Sequence, residues 1–241
     1  MSWLTALLIN TVLIAAAQRA PLLTAAGWVH AGALGTILWG AMGWQAWLAV
    51  VAYLGFGSLV TKIGWNNKQR RGLSEARGGR RGPENVWGSA AVGAILALLI
   101  GSGVPFRALA EIGFAASFAA KLANTFGSEV GKRWGQTTVM ITSFRRVEPG
   151  TEGAISLEGT LASAIGSVLM TAVMVMLNLV PLGFAALVVS VVGLLATLVE
   201  SVIGAVAQDR VSWLSNELVN ALQTLIAAML AMVVSRMLNL A

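Results

Sequence analysis

Residues 181–206 read "PLGFAALVVSVVGLLATLVESVIGAV", twenty-six residues with one charge, Glu200. About 20 consecutive apolar residues suffice for a helix to cross a bilayer. A soluble helix this long would show a polar face, and this one shows almost none. The rest of the chain agrees. Of 241 residues, 57% are hydrophobic and only 11% charged, against roughly 25% charged in soluble domains, and mean hydropathy is +0.78. There is no Cys and a single His, His30, which excludes a disulfide scaffold and a structural zinc site. This composition describes an all-α integral membrane protein.

Working outward, apolar runs between breakers give about eight spans, near 2–17, 27–41, 44–61, 86–101, 104–122, 153–177, 181–206 and 213–238, with six or seven as alternatives. No internal repeat or linker interrupts them, so 1–241 reads as one domain. No basic leader or cleavage site precedes the first run, so the first span is expected to be retained. Eight spans place the polar segments 62–85 and 121–152, read as loops, on one side with the turns around Arg19 and Arg210. Fourteen of the sixteen Lys and Arg then share that side, and only Arg107 and Arg236 lie opposite. The positive-inside bias makes the basic side cytoplasmic and puts both termini outside. Positive charge of this kind belongs to membrane topology, so nucleic acid is not an expected partner. Trp39, Trp44 and Trp47 flank the opposite turn at interfacial depth, and His30 reads as an interfacial residue. The 27 glycines suit close helix packing in lipid.

Ionisable residues in spans are costly and suggest function. Glu111 has a plain explanation, an i, i+4 pair with Arg107. Glu158, Glu200 and Glu217 do not; they lie at similar depth below the cytoplasmic surface on three different spans. Asn216, Asn220, Gln223 and Thr224 form one polar face of the last span, and Glu200, Gly204 and Gln208 form another on the seventh. Such stripes face protein or water rather than lipid. A buried structural network is the plain reading; a site is the functional one. Above the carboxylates lie the basic segments, in which Gly, Asn, Thr and Glu are interleaved with Arg and Lys. Gly lets backbone N–H groups approach phosphate, basic side chains neutralise it, and hard oxygens suit magnesium. The combination points to phosphoryl transfer with Mg2+. "GSEVGKRW" (127–134) falls short of a phosphate-binding P-loop, with one residue too few between its glycines and Arg133 where Ser or Thr belongs.

The blocks "RRGPENVWGS" (80–89), "ASFAAKLANTFGSEVGK" (116–132), "PGTEGAISLEGTLA" (149–162), preceded by "ITSF" (141–144), "ATLVESVIGA" (196–205) and "WLSNELVN" (213–220) resemble a family of polytopic membrane proteins that includes the phytyl-phosphate kinases of photosynthetic bacteria and plastids. The resemblance covers nearly the whole chain. A more distant likeness to phytol and dolichol kinases lies in "SLEGT" (156–160). The resemblance implies transfer of a nucleotide's γ-phosphate, from CTP, to phytyl or a related prenyl monophosphate. The product is a diphosphate for tocopherol and prenyl-lipid synthesis. Magnesium is the implied cofactor, and the implied place is a bacterial inner or thylakoid membrane, with the active site on the cytoplasmic face. Carried over by motif, the catalytic positions are Lys121, Asn124, Glu129 and Lys132. Phosphate-binding positions are Arg80, Arg81, Glu84, Asn85, Ser128, Thr151, Glu152, Asn216 and Asn220, with Arg145 added for its charge. Glu129, Glu158, Glu200 and Glu217 are the magnesium candidates. One departure stands out: the family pattern is Lys-Leu-x-Asp-Thr, and this chain has Asn124. Either Glu129 completes the site, or the amide silences turnover while substrates stay bound. A transporter or flippase for an anionic lipid or metabolite is the rival class, although it would place polar residues midway through the spans. A scaffold recruiting anionic lipid leaves the three Glu unexplained. Base preference, prenyl length and oligomeric state have no legible determinant.

Overall fold

The computed structural model describes residues 3–208, 211 and 213–240; Arg210 lies outside the described residues. The described residues are all-α apart from a single pair of two-residue strands. Its helices are α1 (Trp3–Ala17), α2 (Ala25–Met42), α3 (Trp44–Lys62), the short α4 (Trp65–Arg70), α5 (Pro83–Gly101), α6 (Arg107–Trp134), α7 (Leu157–Met176), α8 (Phe184–Ile203) and α9 (Asn216–Met237). Among the described residues eight helices have 15 residues or more. Five of them are long and apolar enough to cross a membrane: α3, α5, α7, α8 with its extension, and α9. The other three differ for readable reasons. Helix α1 is only 15 residues, α2 is diluted by four glycines and His30, and α6 carries charge along its second half.

Local signals set the boundaries. Thr24, Ser156 and Ser215 cap α2, α7 and α9, accepting hydrogen bonds from the backbone N–H of Gly27, Gly159 and Leu218 at 3.0, 3.1 and 3.3 Å. Pro83 sits at the start of α5, where its missing N–H costs nothing. Helix α8 ends in a π-turn over Gly204–Gln208.

Helix α6 is the hub. It packs against α3, α5, α7, α8 and α9, and Phe114, Phe118 and Leu122 are fully buried among Ala115, Ala116, Ala119 and Ala120. Small side chains let backbones approach closely, the usual source of helix association in lipid. Its length corrects the sequence reading. Residues 121–134, expected to begin a loop, continue the helix without a break. The physical reason is tertiary: Gly127 and Gly131 present bare backbone to Gly159 of α7, so residues that read as loop formers become a packing seam. At 28 residues α6 is about 42 Å long, longer than a hydrocarbon core of about 30 Å.

The expected loop 62–85 is likewise partly ordered. Helix α4 folds back onto α6, and a 3-10 turn over Ala76–Gly79 precedes α5. Strands β1 (Val139–Met140) and β2 (Ala154–Ile155) pair antiparallel, a hairpin with no sequence signal. The two polar segments meet at the same end of the bundle: Arg71 Nη1 donates to the Lys132 carbonyl at 3.1 Å and Lys132 Nζ to Glu75 at 2.8 Å.

Candidate active site

At that end the helices part around a polar cleft of about 370 Å³. Its inner wall comes from α3, α5, α6 and α9, its opposite wall from α7 and α8, and its rim from the turn before α5 and the hairpin loop. The fourteen predicted residues Arg80, Arg81, Asn85, Lys121, Asn124, Ser128, Glu129, Lys132, Thr151, Glu152, Glu200, Asn216, Glu217 and Asn220 all line it.

On α6, Lys121, Asn124, Ser128 and Lys132 recur at intervals of three and four residues. As a loop they had no common direction; as a helix they form one face. At its base Lys121 Nζ donates to Asn220 Oδ1 at 2.7 Å. Asn124 Nδ2 donates to Asn220 Oδ1 at 3.3 Å and to Gln223 Oε1 at 3.2 Å. Gln223 in turn donates to the Ala120 carbonyl and Thr197 Oγ1, both at 3.0 Å. This network ties α6, α8 and α9 together. Glu200 faces Asn124 and Lys121 from α8, with Glu152 nearby across the cleft.

Arg81 is fixed twice. Its backbone pairs with residues 22–24, Arg81 N donating to Leu22 O at 3.1 Å and Thr24 N to Arg81 O at 3.0 Å. Its guanidinium lies over the Tyr53 ring, 5.6 Å from the centroid. A Cβ at Gly57 would sit 2.8 Å from Arg81 Nη2, so the missing side chain makes room for the guanidinium. A second close approach shapes the rim. Gly153, at φ +75°, would carry a Cβ 2.4 Å from Ala205 N, and this lets the hairpin loop lie against the π-turn. The π-turn is why the Glu200–Gly204–Gln208 stripe is not a continuous α-helical face.

Three predicted residues stand elsewhere. Glu84 pairs with Arg77 at the exposed rim, and Arg145 is exposed in the hairpin loop. Glu158, expected at depth within a span, is in the first turn of α7. It is not part of the cleft wall, and its Oε1 accepts the Gln136 N–H at 3.3 Å.

The cleft also uses residues that sequence reasoning passed over. Lys68 of α4 is fully buried; its Nζ pairs with Glu129 and donates to Thr61 O at 2.8 Å. One of seven basic residues in a polar run, it carried no signal of burial. Tyr53 and Ser89 sat on spans with no partner visible in sequence, and Thr125 lay in the segment read as loop. Glu75 adjoins Glu129. Burial opposes its charge, but the Lys132 ammonium beside it prevails and holds its carboxyl below the usual glutamate range. His30 accepts a hydrogen bond from Trp87 Nε1 at 2.8 Å, and Arg107 pairs with Glu111 at 2.8 Å as the spacing predicted.

Among the described residues, no group of three or more His, Asp or Glu converges to hold a metal. Glu129 is occupied by Lys68, and Glu217 accepts from Asn85 Nδ2 at 3.3 Å. Glu200, Glu152 and the Asn124 amide are further hard oxygens sharing the cleft with cations. That donor set fits magnesium in the form it usually takes, one or two carboxylates completed by water and substrate phosphate.

Helices of membrane-spanning length, a charged polar cleft at one end and an apolar exterior define a polytopic membrane protein. The chain belongs to the integral membrane protein DUF92 family, whose model matches residues 8–228. It is 44% identical over 232 residues to the uncharacterised membrane protein sll0875 of Synechocystis, covering 95% of this chain and 90% of that one. It is 39% identical over 220 residues to the chloroplast protein VTE6 of Arabidopsis thaliana, covering 89% of this chain and 66% of that one. The archaeal membrane protein MJ0933 of Methanocaldococcus jannaschii is 28% identical over 232 residues, 95% of this chain and 92% of its own. No solved structure matches.

Proposed function

We propose that this protein is a prenyl-phosphate kinase. It moves the γ-phosphate of a nucleoside triphosphate, CTP, onto phytyl or a related prenyl monophosphate, giving the diphosphate used for tocopherol and prenyl lipids. The observation that carries the reading is the cleft itself: Lys121, Arg81, Arg80 and Lys132 stand with Glu152, Glu200 and Asn124 at one end of a membrane bundle. The family motifs fall on that cleft, and a chloroplast protein is among the relatives. In this reading the cleft end is cytoplasmic, eight helices span a bacterial inner or thylakoid membrane, and both termini lie outside.

An oxygen of the acceptor's phosphate attacks the γ-phosphorus while the bond from that phosphorus to the β–γ bridging oxygen breaks. The nucleoside diphosphate leaves with that electron pair. The acceptor is already ionised, so no strong base is required. The protein's task is to neutralise charge and align two anions. Lys121 and Arg81 hold phosphate at the inner end, and Lys132 and Arg80 hold it at the rim. Glu200, Glu152 and the Asn124 oxygen would hold magnesium, which would supply further charge neutralisation at the phosphates.

Incubating purified protein with γ-labelled CTP, magnesium and phytyl monophosphate tests the reading directly. Labelled phytyl diphosphate is the expected product. Flux of phytyl monophosphate across liposomes with no diphosphate formed would instead identify a transporter.

A further inference from the structure

We propose that the cleft is divided by depth. Its inner end seats the acceptor's monoester phosphate on Arg81, Lys121, Tyr53 and Ser89, and its rim seats the nucleotide; this rests on the kinase reading above. At the inner end Tyr53, Ser89 and Lys121 are 5, 7 and 8% exposed. Ser89 and Thr125 lie beside the Tyr53 hydroxyl, which accepts from Arg81 Nη1 at 3.4 Å. Two cations thus meet three hydroxyls in a nearly closed space.

Neither cation stands in an ion pair among the described residues, whose four pairs are Lys68–Glu129, Arg77–Glu84, Arg107–Glu111 and Lys132–Glu75. Glu200 and Glu75 act on Lys121 only from beyond ion-pair distance. Burying Lys121 with no carboxylate in ion-pair contact is costly, and a dianionic monoester supplies that contact. Donors are also left over. Lys121 has three N–H groups and one goes to Asn220; Arg81 has five and one goes to Tyr53. The rim is different: its Lys132 and Arg77 are already matched by Glu75 and Glu84.

Depth assigns the ligands. Lys121 lies thirteen residues before the end of α6, about 20 Å down its axis at 1.5 Å per residue. Ser89 lies six residues into α5, about 9 Å. A phosphate carried on a membrane-embedded tail arrives at that level. A water-soluble triphosphate meets the rim first.

The test separates binding from turnover. Full-length protein in detergent is titrated by thermal shift with phytyl monophosphate, inorganic phosphate or CTP, each alone, in parent, Tyr53→Phe, Ser89→Ala and Arg80→Gln forms. Losing one hydrogen bond to a charged group weakens binding by about tenfold or more. The expected result is that weakening for phytyl monophosphate in Tyr53→Phe and Ser89→Ala, with CTP unchanged, and the reverse in Arg80→Gln. Tyr53→Phe and Ser89→Ala forms that weaken CTP alone, or neither ligand, overturn the division. Inorganic phosphate binding as tightly as the lipid would overturn assignment of the inner end to the acceptor. Phytyl monophosphate bound as expected with no diphosphate made would sink the kinase reading and leave the subsite standing.

Discussion

Asn124 is held by partners that define which atom faces which. Gln223 spends its N–H₂ on Ala120 O and Thr197 Oγ1, so its oxygen must face position 124. Asn220 turns its oxygen to Lys121. Position 124 is therefore asked to donate, and an amide can. Asn124→Asp would set a carboxylate against those oxygens and lower the melting temperature of the ligand-free protein. It would also add negative charge beside Glu200 and Glu152, where a divalent cation needs it. The expected initial rate at saturating CTP and magnesium rises by about 10²-fold. An aspartate form no faster than the parent removes position 124 from the chemistry. Lys68 gives a second prediction. Truncating one partner of a buried ion pair costs about 3–5 kcal/mol, so Lys68→Met should melt far below the parent. Lys68→Met combined with Glu129→Leu should recover most of the loss, because no unpaired charge remains buried. Equal melting of Lys68→Met and the parent would show that Lys68 does not compensate the Glu129 charge.

Between elements, the close approaches decide function more than stability. Gly57→Ala puts a methyl where the Arg81 guanidinium lies, and a flexible side chain can move aside. The fold should survive, with a melting temperature within a few degrees of the parent. Binding of phytyl monophosphate should weaken, because Arg81 loses its seat over Tyr53. A Gly57→Ala form that binds normally would show that the seat is not needed. The contact between the 71–82 segment and α6 depends on pH. The carboxyl of Glu75 is held below its ordinary value, so its contribution to stability is present above that value and lost as pH falls through the lowered one. Glu75→Gln should therefore flatten the acid limb of a melting-temperature profile and leave the neutral region nearly parallel to the parent. A parent profile already flat on the acid side would remove this pair from the stability of the segment.

Over the whole molecule, the two polar segments share one end and the turn at 177–183 occupies the other. In a chain without Cys, single cysteines report this cleanly. Gln69→Cys and Gln136→Cys should be modified by an impermeant reagent from the cytoplasmic side only, and Leu182→Cys from the opposite side only. Modification of Gln69→Cys and Gln136→Cys from different sides would separate the two halves of the cleft and end the shared-site account.

Apolar run length and charge asymmetry determined, from the sequence alone, that the chain is a helical membrane protein with its polar chemistry at one end. Both are one-dimensional quantities, and lipid reads them directly. Fourteen of the cleft residues were legible as well: Glu200, Asn216, Glu217 and Asn220 as polar groups on apolar spans, the others through the basic segments and the family motifs. Tertiary structure decided the rest. Whether 121–134 is loop or helix depended on Gly127 and Gly131 meeting α7, a contact thirty residues away in sequence. What each carboxylate pairs with also depended on distant partners: Lys68 consumed Glu129, and Glu158 turned to the Gln136 backbone. Tyr53 and Ser89 joined the inner end only once α3, α5 and α6 were packed together. Sequence fixes which groups are expensive to bury; only packing decides which of them pay for one another.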